Sequence, residues 1–303
     1  MAIGVFQADV NKETILNNRV KAAGKIYIVA TPIGNLEDIT LRAVSTLKTV
    51  DKIAVEDTRH SQRLLKHWAI QKPLIALHEH NEREKVLKLL EEVENGLTLA
   101  LISDAGTPLI NDPGYALVRL AHEKEIQVVP IPGACSVIAA LSVSGLPTDR
   151  FAFEGFLPAK SSARSHHLTS LIDEPRTLIF FESPHRILET LNEMHAIFGE
   201  HREAVIAREL TKIFETIKQG SLAELVVWAQ SDPMQQRGEF VVLVAGARKN
   251  VEAQLTPEAR HVLEVLLTEL PVKQASALAG KITGINKRLL YEYAIERKKD
   301  QRE

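Results

Sequence analysis

Short apolar runs punctuate the first half of the chain, and helical patterns separate them. Tyr27-Ile28-Val29-Ala30, Ile53-Ala54-Val55, Leu97 to Ile102 and Val128-Val129-Pro130-Ile131 are too short for helices and read as buried parallel strands. Between them, Arg42 to Leu47, Glu82 to Glu94 and Tyr115 to Lys124 carry the spacing of amphipathic helices. Strand and helix alternating in this way predict βαβ units, right-handed crossovers and one parallel sheet from Gly24 to about Pro147. The helix after Pro132-Gly133, through Val137 to Val143, is almost entirely apolar and is expected to be buried between layers.

A second α/β unit follows over residues 148–250. Its expected strands are Phe151 to Phe153, Thr177 to Phe181, Ala204 to Ala207 and Phe240 to Val244, with helices at Ser162 to Leu171, His185 to Phe198 and Leu222 to Ala229. The stretch Arg150 to Lys160 reads as the hinge and the strand after it, so a cleft is expected between the two halves. Residues 251–303 change to helices alone, Pro257 to Leu270, Val272 to Gly280 and Asn286 to Lys298, and a turn at Gly284 suits a helix-turn-helix unit. Residues 1–24, polar and without clear period after Phe6, read as a mobile tail.

Chemistry gathers at the strand ends. Asp104 is expected at the carboxyl end of the Leu97 to Ile102 strand, where open α/β sheets hold ligands, and Gly106 and Pro108 tighten the loop behind it. A helix-capping Asp is the plain alternative. Thr31-Pro32-Ile33-Gly34, Glu56-Asp57-Thr58-Arg59-His60 and Pro132-Gly133-Ala134-Cys135-Ser136 follow three other strands, so four loops converge on one edge. Neither a Gly-x-x-x-x-Gly-Lys-Ser/Thr string nor a Gly-x-Gly-x-x-Gly string occurs, which counts against nucleotide hydrolysis and ordinary nicotinamide binding.

Composition narrows the class further. At 303 residues with 45% hydrophobic content the chain has room for two domains, and a net charge of -2 means that any RNA surface must be local. The single cysteine, Cys135, excludes an internal disulfide and suits a reducing compartment. With no secretory pattern at Met1 to Asp9 and no apolar run of bilayer length, a cytoplasmic protein without a membrane partner is expected.

Thr31 to Leu36, Glu56 to Arg59, Ser103 to Pro108, Phe181-Glu182-Ser183-Pro184-His185-Arg186 and Ala207 to Lys212, in this order, resemble the bacterial 16S ribosomal RNA (cytidine-2'-O)-methyltransferases of the small-subunit I type, within the tetrapyrrole methylase superfamily. The resemblance covers about residues 25 to 300. It implies α/β architecture of the tetrapyrrole methylase type, with a parallel-sheet cofactor domain at 25–147, a mixed-sheet second domain at 148–250, a small helical domain and S-adenosylmethionine in the cleft. It also implies a homodimer acting on a cytidine ribose in the decoding region of 16S RNA in the small ribosomal subunit.

By position, the resemblance puts Pro32, Ile33, Gly34, Asp104, Ala105, Gly106, Thr107, Leu109, Pro132, Gly133, Ala134, Ser136, Phe181, Ala207, Arg208, Glu209 and Leu210 around the cofactor. A tetrapyrrole substrate and a non-catalytic RNA-binding assembly factor are the competing readings.

The donor would bring its own electrophile, leaving the protein to align a ribose hydroxyl and accept its proton. Glu56, Asp57, His60, His78, His80, Glu209 and Glu215 are the candidate bases on the cleft rim; Glu56 or Asp57 is favoured, against a salt bridge from this pair to Arg59 that shapes the loop, and the base stays unassigned at this point. Cys135 lacks a basic activator and reads as structural. His78 and His80 lack the further ligands of a zinc site, so no metal is expected. Lys160, Arg164, Arg186, Arg208 and Lys212 are the candidate phosphate partners near the cleft, with Lys287 and Arg288 on the basic helical end.

Overall fold

The computed structural model describes residues 24–77, 82–247 and 255–300. The expected tail, apart from Gly24, and the pair His78 and His80 lie outside the described residues. Two compact units are present, one reaching to Ala245 apart from Asp173–Pro175, the other made of Asp173–Pro175 and the chain from Gly246 onward.

In the first unit, β1 (Lys25–Val29), β2 (Lys52–Val55), β3 (Leu74–Ala76), β4 (Leu99–Leu101) and β5 (Gln127–Ile131) form a sheet of order β3-β2-β4-β1-β5. Every neighbouring pair is parallel. Helices α1 (Leu41–Thr49) and α2 (Thr58–His67) bury Ala43, Leu47, Leu64 and Leu65 against Val29, Ile53 and Val55. Helices α3 (Glu82–Glu94) and α4 (Tyr115–Glu123) bury Leu90, Val93, Leu117 and Ala121 against Ile26, Ala54 and Leu99. The central strands β1, β2 and β4 are therefore covered on both faces, which is why they are apolar apart from Lys25 and Lys52 at their starts; burying one Leu or Ile side chain contributes about 2 kcal/mol.

The covering helices also fix where a ligand can sit. The chain leaves β1 through α1 on one face and leaves the adjacent β4 through α4 on the other. Their carboxyl ends thus diverge into a crevice, the topological switch point of an open α/β sheet.

The second sheet joins β6 (Phe151–Phe156), β7 (Thr177–Glu182), β8 (Glu203–Arg208), β9 (Thr216–Ser221) and β10 (Phe240–Val244) in the order β6-β7-β10-β8-β9. β6 and β7 are parallel and the other pairs antiparallel, so the sheet is mixed. Helix α5 (Ser136–Val143) lays Val137, Ala140 and Leu141 on Ile179, Val205 and Leu243. Its burial is less complete than its sequence suggests, because Ile138 and Val143 stay more than half exposed. Helices α6 (Ser161–Ser170), α7 (Ile187–Phe198) and α8 (Leu222–Ser231) cover the opposite face through Leu168, Leu191 and Leu225. In β6 a bulge after Phe153 uses Gly155 at φ +67°, and the strand runs three residues further than its alternation predicts.

The second unit holds α9 (Pro257–Glu269), α10 (Val272–Thr283) and α11 (Lys287–Asp300) around Leu263, Ala275, Ala279, Leu290 and Tyr293. Thr256 caps α9 through the Ala259 amide, and Gly284 ends α10 in the left-handed conformation.

Candidate active site

The loops after β1 and β4 are spliced at the switch point. Thr31 donates its amide to the Gly106 carbonyl at 2.8 Å, and the Gly106 amide returns a bond to the Thr31 carbonyl at 3.1 Å. Thr107 Oγ1 donates to the Ala134 carbonyl at 3.0 Å, tying in the loop after β5. The Asp57 amide donates to Asp104 Oδ1 at 3.2 Å and so brings the end of β2 to the same place. All four loops expected from sequence therefore meet.

Across from them, the ends of β6, β7 and β8 and the start of β10 close a cavity of about 500 Å³. Eight residues expected at the site line it: Ile33, Glu56, Asp104, Ala105, Ser136, Phe181, Ala207 and Leu210. Sequence reasoning did not place Asn111, Asp112, Phe156, Glu182, Ser183, Pro184, Glu239, Phe240 and Val241 there. Asn111 and Asp112 belong to the glycine- and proline-rich loop behind Asp104, whose composition was the available signal. Phe156 depends on the bulge at Gly155, which no periodicity announces.

The other residues expected at the cofactor frame the cavity instead of lining it. Gly106, Thr107 and Ala134 make the splices just described. Gly34 faces Thr211 and Lys212 from the second half, Gly133 packs on Ala30, and Pro32 is buried behind Ile33. Pro132 is exposed and does not line the cavity. Leu109, Asn111, Glu209 and Thr211 account for four of the six non-glycine residues with positive φ among the described residues, so backbone strain is concentrated around this cavity.

The wall combines an apolar shelf with carboxylates. Phe181 packs edge-on to Phe153 with centroids 4.9 Å apart and lies 5.5 Å from Phe156. Burial pushes the Asp112 carboxyl above its ordinary value, and the Asp104 charge adds to this while a Ser103 hydrogen bond opposes it. Glu182, buried, accepts from the Ser183 amide and the Thr190 hydroxyl at 2.7 Å each and pairs with Arg186 at 2.7 Å. Burial works to raise the Glu209 carboxyl, yet Lys212 and the Glu239 amide outweigh it and hold it below its usual range. Such a wall fits a compact ligand with one planar or apolar end and a positive charge.

Glu56 and Asp57 separate in role. Glu56 lines the cavity. Asp57 caps α2 through the Arg59 amide at 2.8 Å and pairs with the Arg59 guanidinium at 3.1 Å, and that hydrogen bonding holds its carboxyl below the ordinary value.

Most of the expected phosphate partners are already engaged, and for Arg164 the expectation is overturned. Its guanidinium is fully buried, bidentate on Glu193 at 2.7 and 2.9 Å and 2.6 Å from Glu189, so no phosphate can reach it. Arg208 is buried as well, donating to the Arg237 and Phe214 carbonyls at 2.6 and 3.3 Å. Arg186 donates to the Leu157 carbonyl besides Glu182, and Lys212 sits between Glu209 and Glu239 at 2.9 Å from each. Lys160 is exposed at the start of α6. In the helical unit Lys287 and Arg288 are exposed, the latter paired with Glu292. Cys135, half-buried, packs with Leu141 and its neighbours under the second sheet.

The family described as Tetrapyrrole (Corrin/Porphyrin) Methylases matches residues 25–226, and that described as RsmI C-terminal HTH domain matches residues 253–298. Ribosomal RNA small subunit methyltransferase I of Pseudomonas aeruginosa is 56% identical, over 91% of this chain and 98% of its own. The protein of the same name from Escherichia coli O157:H7 is 53% identical, over 90% of this chain and 95% of its own. Among solved structures, uroporphyrin-III C-methyl transferase from Thermus thermophilus complexed with S-adenyl homocysteine covers 73% of this chain and 97% of its own, with TM-score 0.50 and 19% identity. That likeness is one of fold.

Proposed function

The chain belongs to the tetrapyrrole (corrin/porphyrin) methylase family, and from that premise we propose that it is an S-adenosylmethionine-dependent methyltransferase that methylates a cytidine 2'-hydroxyl of 16S ribosomal RNA. It acts in the cytoplasm as a homodimer on the small ribosomal subunit, in the decoding region. The carrying observation is the cavity at the switch point, walled by Asp104 and Asp112 on one side and Phe181 on the other. The names of the relatives, which match this chain along nearly its whole length, favour ribosomal RNA over a tetrapyrrole.

The residues present fit the donor. Gly106, at φ +83°, lets the main chain run close beside Ile33, and the carboxylates complement a cation while the phenylalanines accept an adenine face. When bound, S-adenosylmethionine supplies a methyl group activated by its positive sulfur. Asp104, Ala105, Ser136, Phe181, Ala207 and Leu210 hold and orient it. Glu56 accepts the proton that the ribose oxygen loses as its new bond to carbon forms. Asp57 acts one step removed, by capping α2 and steadying Asp104.

Incubation with methyl-labelled S-adenosylmethionine and small subunits from a strain lacking the activity tests the reading. Digestion to nucleosides is expected to put the label in 2'-O-methylcytidine. Label in a base, or none in 16S RNA, would refute it.

A further inference from the structure

Helix α2 carries a charge pattern that the cavity does not use. It turns Ser61, Leu64 and Leu65 inward and leaves Arg59, Arg63 and Lys66 exposed at i, i+4 and i+7 on the opposite face, with His60 and His67 beside them. No Asp or Glu occurs between Thr58 and Leu77, in a chain whose net charge is -2. Arg59 pairs with Asp57, whereas among the described residues Arg63 and Lys66 have no carboxylate partner. This stripe is not there for the helix, whose positive N-terminal end would be better served by acidic residues than by Arg59 and His60.

The stripe starts at the candidate active site. Glu56 lines the cavity, and the Asp57 amide is bonded to Asp104 one residue before α2 begins. An open groove flanked by Gln62, Lys66, Gln71 and Lys72 continues along the side of the helix. Near the cavity, Arg186, Arg208 and Lys212 are spent on internal carboxylates and carbonyls, and phosphates would have to break those bonds to use them. Helix α2, which starts beside the cavity, thus offers unspent positive charge at Arg63 and Lys66.

We propose that Arg63 and Lys66, with Arg59 at the cavity end, form a phosphate-binding track for the RNA strand that flanks the target nucleotide. This rests on the ribosomal RNA reading above. At 1.5 Å per residue, Arg59 and Lys66 stand about 10 Å apart along the axis, a span that follows a strand past more than one phosphate. Such contacts position a strand without reading its bases, and the cavity then selects the sugar.

The test combines Arg63→Gln and Lys66→Gln, with each single variant and Lys48→Gln on α1 as controls. The double variant is expected to raise KM for small subunits about tenfold near physiological salt and to flatten the dependence of log KM on log salt by about 0.7 for each cation removed. Each single variant should show part of this, with S-adenosylhomocysteine affinity and Tm unchanged throughout. Wild-type KM and salt slope in the double variant would overturn the track while leaving the enzyme reading intact. So would loss of binding to phosphatidylserine vesicles with RNA kinetics unchanged, which would assign the stripe to a lipid surface. A wild-type protein that labels no RNA would overturn the track together with the reading beneath it.

Discussion

Thr31 and Gly106 exchange two main-chain hydrogen bonds, of 2.8 and 3.1 Å, and so lock the loops after β1 and β4 into one piece beside the cavity. Gly106 sits at φ +83°, and a Cβ there would stand 3.2 Å from Ile33 Cγ2. Gly106→Ala is expected to cost about 1–2 kcal/mol of stability from backbone strain and to weaken S-adenosylhomocysteine binding at the same time. Denaturant unfolding and calorimetry on one preparation read both, and unchanged values would show that the splice does not shape the site.

Glu56 and Asp57 are adjacent in sequence yet have different surroundings. Glu56→Gln is expected to lower kcat by about a hundredfold or more, as for loss of a general base, with cofactor affinity changed only slightly. Asp57→Ala should instead lower the Tm through the lost cap on α2, with the chemical step nearly unchanged. Single-turnover methylation and thermal unfolding of both variants distinguish the two roles.

The Asp112 carboxyl is held above its ordinary value of 3.8, chiefly by burial. It binds its proton more tightly folded than unfolded, so its ionisation takes stability away as pH rises from 3.8 through the raised folded value. Asp112→Asn is therefore expected to raise the Tm of the ligand-free protein at neutral pH. It should also weaken S-adenosylmethionine more than S-adenosylhomocysteine, because only the former carries a charged sulfur. Equal effects on the two ligands would remove Asp112 from the electrostatics of the site.

Arg164 and Glu193 give an acid-sensitive contribution of opposite sign. The Arg164 guanidinium holds the Glu193 carboxyl below its ordinary value of 4.5. The stabilisation is fully present above 4.5 and is lost as pH falls through the lower folded value. Glu193→Gln should cost about 3 kcal/mol at neutral pH, because it leaves a buried guanidinium short of a partner, and should flatten the acid limb of the stability curve. Salt dependence of RNA kinetics should not change.

The buried strands were legible because a parallel sheet covered on both faces needs apolar runs, and Ile26, Ile53 and Leu99 supply them. Helix α2 was not, since Leu64 and Leu65 are the only aliphatic side chains among its cations and polar residues and make a weak period. Strand β9 escaped for a related reason: Thr216–Ser221 is a polar edge strand with Ile217 as its one large apolar residue. At the site, the loop from Asp104 to Asp112 announced itself through glycine and proline. The wall formed by Phe156 and Phe240 did not: Phe156 reaches it through a bulge, and the start of β10 at Phe240, though expected, carries no local sign that it faces a loop of the other sheet. Arg164 looked like a surface cation only because Glu189 and Glu193 lie a helix away in sequence.

Calorimetric titration of S-adenosylhomocysteine into the wild-type protein and into Ala105→Trp tests the cavity most directly. Ala105 is exposed on the cavity wall, so an indole there fills the space without disturbing the core. A donor held in this cavity predicts one site per chain with a micromolar Kd, about -8 kcal/mol, in the wild type, and no measurable binding in the variant at unchanged Tm. Binding of wild-type strength in Ala105→Trp would contradict it.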